Sequence, residues 1–190
     1  MKKKLLLSTI IIFLSSFSVF SQEKPELQSM FKTDFNFAGL GFSYEIPIAK
    51  EWTVDLSAGI GASANVKSSY EVRWDINKSP SAYFKSELKY NYNFHKRYKK
   101  GKNVTNNSSN YLAFQTKYIT SRFNSDPYLF TANNVLASEI HWGVQRSLGG
   151  NWLFNFHAGL GVAKDFDLGN QKSLTNLYLA LGLKFSYKLF

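Results

Sequence analysis

Two histidines and a glutamate, His141, His157 and Glu139, share the stretch "SEIHWGVQRSLGGNWLFNFH", which alternates in type on both sides of a glycine pair. Ile140, Trp142 and Val144 precede the pair on one parity and Trp152, Phe154 and Phe156 follow it, so the segment reads as two strands joined by a turn. Residues that pair across an antiparallel ladder share a face. A three-residue loop at Leu148, Gly149 and Gly150, with glycine in the left-handed position, pairs Ser147 with Asn151. That register sets His141 directly opposite His157, with Cβ atoms roughly 4.5 to 5.5 Å apart, and Glu139 one step along the same face. Two imidazoles and a carboxylate so arranged could hold a transition metal or titrate together as a pH-sensitive cluster. The preferred reading is two histidines hydrogen-bonded into a polar core, because the sequence does not supply the remaining ligands of a metal site. No metal or cofactor is expected.

Other residue types offer less chemistry. The only further histidine is His95, and no histidine has a serine and an acid in an evident triad arrangement, so the chain does not read as an enzyme, a lipid-modifying one included. "HKRYKKGKNVTNNSS", from His95 to Ser109, opens with five Lys or Arg in eight residues. Tyr70, Trp74, Phe123, Tyr128, Phe130 and Phe166 fall between the alternating segments, where exposed rings would serve adhesion or ligand recognition. The same rings would equally pack on one another.

The elements that must position these residues are strands. Alternation of period two recurs over Trp52 to Ala64, Ala82 to Phe94, Tyr111 to Thr120, Ala137 to Ser147, Trp152 to Val162 and Asn176 to Phe190. In the last, Leu177, Leu179, Leu181, Leu183, Phe185, Tyr187 and Leu189 face one way and Lys184, Ser186 and Lys188 the other. Segments of this length suit a tilted membrane crossing better than a typical globular strand. Connections alternate between tight ("SLGG") and long and polar ("SRFNSDPYLFTANNV"), as in an outer-membrane barrel. Such barrels have even strand counts, which leaves two readings of the start. Either "MFKTDFNFAGLGFSYEIPI" is a hairpin bent at Ala38 to Leu40, the preferred reading, or it is one strand and Tyr70 to Ile76 supplies another.

The first residues, "MKKKLLLSTIIIFLSSFSVFSQ", have the charged start, short apolar core and small-residue end of a secretory signal, cut before Gln22. Residues 1–21 are thus expected to be a signal peptide and 22–190 a single barrel domain. Removing the three signal lysines lowers the net charge from +10 to +7. The absence of cysteine excludes the usual bacterial lipoprotein, so membrane association must come from the fold. Aromatics at 17% suit strands and membrane interfaces.

The signal, the strand ladder and the terminal Phe190 resemble the small OmpA/OmpX-like outer-membrane barrels of Gram-negative bacteria. More narrowly, "FKTDFNFAGLGFSYEIPIAKEWTVDLSAG" with "SELKYNYNF" is similar to a family of eight-stranded barrels with no activity attached, although Lys89 stands where that family has Arg and Tyr187 lies one place off the usual spacing before the terminal Phe. The resemblance implies an all-β, closed antiparallel transmembrane barrel of about eight strands, monomeric, in the bacterial outer membrane. It also implies that Phe190 belongs to the signal read by the barrel-assembly machinery.

Within that frame the Leu row faces lipid and the polar parity faces inward. Lys32, Asp34, Glu45, Asp55, Lys85, Glu87, Lys89, Lys117, Glu139, Lys184 and Lys188 would then line an interior that eight strands leave just wide enough for side chains. Opposite charges there must pair, giving a plugged ion-pair core built on Glu45, Lys89, Glu87, Lys85 and Asp55. A narrow, porin-like pore is the alternative. Glu45 and Lys89, at positions resembling the family's Glu and Arg, are expected to meet. The basic turn at 95–109 falls on the periplasmic side, as a solvated turn with snorkelling lysines or as a contact with anionic lipid or cell wall. That location excludes nucleic acid as a partner.

Overall fold

The computed structural model describes residues 25–36, 39–68, 71–75, 80–123, 134–166 and 175–190; the expected signal peptide, 1–21, lies outside them. Among the described residues ten strands form: β1 (Met30–Asn36), β2 (Gly39–Ala49), β3 (Trp52–Gly61), β4 (Ser63–Ser68), β5 (Glu71–Asp75), β6 (Ser81–Tyr90), β7 (Ser109–Arg122), β8 (Val135–Gly149), β9 (Trp152–Asp165) and β10 (Thr175–Lys188). Eight of them close an antiparallel barrel in the order β1-β10-β9-β8-β7-β6-β3-β2, while β4 and β5 pair only with each other. No helix among the described residues is long and apolar enough to cross a membrane.

Alternation sets which side chain goes where. In β6, Ser81, Tyr83, Glu87 and Lys89 are buried while Phe84 and Leu88 are exposed, and in β10 Leu177, Leu179 and Leu181 are 66%, 65% and 62% exposed while Asn176, Ala180, Lys184 and Ser186 are buried. The polar set is therefore inside and the apolar set outside, the inverse of a water-soluble barrel.

At the start of the chain Asn36 pairs with Gly39, so β1 and β2 form a hairpin; residues 37–38 lie outside the described ones. Most of the competing segment, Glu71 to Asp75, is a strand, but it pairs with β4 outside the ring.

Two sequence expectations are corrected. The alternation through Phe94 does not extend the strand, because β6 stops at Tyr90 and a turn leads into helix α1 (Phe94–Lys99). Asn91 and Asn93 use their side chains to brace that turn, Asn91 Oδ1 accepting from Ser109 Oγ (2.7 Å) and Asn93 Oδ1 from the Asn110 amide (2.7 Å). The β8–β9 register is also two residues from the expected one. Ser147 pairs with Leu153, His141 with Gly159 and Gly143 with His157, so His141 and His157 are diagonal rather than direct partners. Gly149 and Gly150 both take positive φ (108° and 53°), which lets the chain reverse over Gly150 and Asn151, with Leu148 taken up as a bulge.

The barrel has two unlike ends. One carries the reversals at Lys50–Glu51 and Gly150–Asn151, helix α1, and the β1–β10 seam, where the Phe31 amide donates to the Phe190 carbonyl (2.9 Å). The other carries the β4–β5 hairpin together with Asn36, Gly39, Phe123, Asn134, Phe166 and Thr175. The first is the plugged end and the second the loop end.

Candidate functional site in the barrel interior

Near the plugged end the lumen is filled by charge. Lys32 Nζ, from β1, lies 2.7 Å from Glu45 Oε2 of β2 and 2.8 Å from Asp55 Oδ2 of β3. Lys89 Nζ, from β6, lies 3.5 Å from both of those oxygens and donates to Gln145 Oε1 at 3.3 Å. Lys184 Nζ meets Asp34 at 3.1 Å, and Ser186 Oγ donates to the same carboxylate at 2.6 Å. Each cation thus faces a carboxylate, as burial of full charge demands. Glu45 and Lys89 do meet, but Lys32 is the closer partner of Glu45. Its inward parity was legible; its place at the centre was not.

The segment expected as a solvated basic turn closes this end. Its helix keeps Lys96 and Lys99 exposed but buries Phe94, and residues 105–107 then fold back into the barrel mouth. Asn106 and Asn107 both adopt left-handed backbone (φ 52° and 56°), which asparagine tolerates better than most residues. This turns both side chains inward. Asn107 Nδ2 donates to Glu45 Oε1 (3.0 Å) and to the Gln28 carbonyl (2.8 Å), while Asn106 Nδ2 donates to Ser147 Oγ (3.3 Å) and the Gly150 carbonyl (3.2 Å). The Asn-Asn pair was the available sequence signal, since it is the composition of a left-handed turn.

Toward the loop end the filling changes. His141 Nε2 lies 3.1 Å from Glu87 Oε1, and its Nδ1 lies 3.1 Å from Glu139 Oε1. His157 Nε2 lies 3.5 Å from the same Glu139 oxygen, and the two imidazoles stack with centroids 4.2 Å apart. Glu139 also accepts from Gln115 Nε2 (2.7 Å) and the Tyr178 hydroxyl (2.9 Å), and Lys85 Nζ lies 3.5 Å from Glu87 Oε2. Beside this cluster is a cavity of about 460 Å³, bordered by Glu87, Gln115, Lys117, Glu139, His157 and Tyr178. The rings assemble despite the shifted register because diagonal neighbours on one face lie within reach of long side chains.

Inward glycines make room for these rings. A Cβ on Gly182 would strike the His157 imidazole, one on Gly161 would strike the Tyr178 ring, and one on Gly143 would strike the Tyr111 ring. These are the mid-strand glycines of the polar parity, legible in the sequence as positions but not as sockets.

Of the remaining expected groups, Lys117 Nζ sits 4.8 Å over the Tyr83 ring, and Lys188 is half-buried beside the seam. Phe123 and Phe166 are exposed at the loop end, at 62% and 51%. Tyr70, Tyr128 and Phe130 lie outside the described residues, and Trp74 belongs to β5.

The fold and interior define an eight-stranded antiparallel β-barrel with an ionic core. No protein-family model matches the chain, and neither does any curated protein or any solved structure.

Proposed function

We propose that the chain is a monomeric outer-membrane β-barrel of a Gram-negative bacterium, OmpA/OmpX-like, with a structural role and a lumen closed at the plugged end. The observation that carries this reading is the outer surface. Leu40, Leu56, Ile60, Ile140, Leu160 and Leu179 expose large apolar side chains around the barrel. An uncovered apolar belt of this extent is unfavourable in water and is what a lipid environment selects. Below it, near the plugged end, lies a ring of aromatics: Trp52 stacks on Tyr90 (4.9 Å), Trp152 meets Tyr187 edge-on (5.1 Å), and Trp142 Nε1 donates to the Tyr92 hydroxyl (2.9 Å). Such girdles sit at the headgroup level of barrels.

Two partners follow from this reading. Phe190, 75% exposed with its ring against Phe31 (5.3 Å), is available to the assembly machinery. The exposed Lys96, Lys99 and Lys100 on and beside α1 would meet anionic headgroups or cell wall on the periplasmic side. Fractionation tests the location: the protein should remain in the membrane pellet and migrate faster on a gel unheated than boiled. A fully soluble protein after signal removal would refute it. Planar-bilayer recordings test the closure, with no steady conductance expected and ion-selective currents refuting it.

A further inference from the structure

We propose that Glu139, His141 and His157 form a binding site for a divalent transition-metal ion, with one coordination position open to the interior cavity. The three side chains each present one ligand atom, and these atoms lie within 4.8 Å of one another. Zinc bonds of about 2.0–2.2 Å in a tetrahedron set neighbouring ligand atoms roughly 3.3–3.5 Å apart. The Glu139 oxygen already stands at 3.1 Å from His141 Nδ1 and 3.5 Å from His157 Nε2. The two rings stack with an interplanar angle of 25°, so their lone pairs meet on one ion only if a ring turns, and His157, beside the cavity and 19% exposed, has room to do so.

A second observation favours a cation at this position. His141 Nδ1 is buried, and the polar atom it faces is Glu139 Oε1 at 3.1 Å, off the line of a well-formed hydrogen bond. With Glu87 accepting from Nε2, a neutral His141 turns its Nδ1 lone pair toward the Glu139 carboxylate, and a cation between them would relieve that repulsion.

The surroundings are built as supports for ligands. Glu87 faces His141 Nε2 at 3.1 Å, the carboxylate–histidine arrangement that turns the other ring nitrogen's lone pair toward a metal. The Tyr178 hydroxyl and the Gln115 amide hold the Glu139 carboxylate from two sides. Two imidazoles with one carboxylate favour zinc or a neighbouring first-row ion over magnesium or calcium. Three protein ligands leave the fourth position for water or a small anion in the cavity. The site depends on the barrel interior alone, so its failure leaves the membrane reading untouched.

The test is titration of untagged, full-length mature barrel in detergent with Zn²⁺, and with Co²⁺ as a spectroscopic probe. One ion per chain is expected, with Co²⁺ bands of four-coordinate intensity. His141→Ala and His157→Ala should each weaken binding at least tenfold while heat-modifiable migration persists, and Glu87→Gln about tenfold through the orientation of His141. His95→Ala should change nothing. Absence of binding, or binding unaltered in the His141 and His157 variants, overturns the proposal. Should those variants not fold, the paramagnetic shifts of the Co²⁺-loaded wild type decide: shifts on His141 and His157 support the site, and shifts confined to His95 overturn it.

Discussion

The two halves of the lumen are lined by the same strands with the same parity, yet they solve burial of charge differently. Near the plugged end Lys32, Lys89 and Lys184 interlock with Glu45, Asp55 and Asp34. Toward the loop end Glu139 is met by His141, His157, Gln115 and Tyr178 beside open volume, and Glu87 by His141 and Lys85. The difference teaches that a full charge inside a narrow barrel needs a full counter-charge when packed solid. A carboxylate beside a cavity can instead be met by polar rings.

The sharpest way to break the comparison is Lys32→Met. It leaves Glu45 and Asp55 buried with Lys89 more distant, so the unfolding free energy in detergent should fall by about 3–5 kcal/mol. Lys89→Met should cost less, and pairing it with Glu45→Gln should recover part of the loss. A Lys89→Met effect as large as that of Lys32→Met would show that the 3.5 Å contacts matter as much as the short ones. Next in size is Asn107→Ala, which leaves Glu45 Oε1 and two Gln28 backbone groups without their partner. A loss of about 1–3 kcal/mol is expected in urea titration, together with faster proteolysis at 94–107.

Two alanine substitutions compare the halves directly. Gly143→Ala drives a methyl into Tyr111, fully buried and bonded to Asn155 (2.8 Å), and should cost about 1–3 kcal/mol. Gly182→Ala drives the same group into His157, which can swing into the cavity, so a loss under about 1 kcal/mol is expected. Equal losses in thermal unfolding would mean that the loop half is as tightly packed as the other.

Much of the barrel was legible because a period of two, kept over long segments, leaves no other element. The same parity named the inward charges. What it cannot carry is any step off that period. Leu148, bulged beside two glycines, shifted the β8–β9 ladder by two residues. Tyr92 and Phe94 continued the alternation past the end of β6, because a helix that buries one aromatic in its first turn can begin on the same pattern as a strand. The histidine cluster came through the register error because a shift of two preserves the face.

The asparagine plug also sets an order in time. Asn107 bonds to Gln28 and Glu45, near the start of the chain, whereas Asn106 bonds to Ser147 and Gly150, more than a hundred residues later. Those groups come together only once the cylinder has gathered strands from both halves of the sequence. Seating of this stopper is expected after adjacent strands have paired, because its contacts lie farther apart along the chain than those of neighbouring hairpins. Its amide protection would report the meeting of β2 with β8 across the lumen.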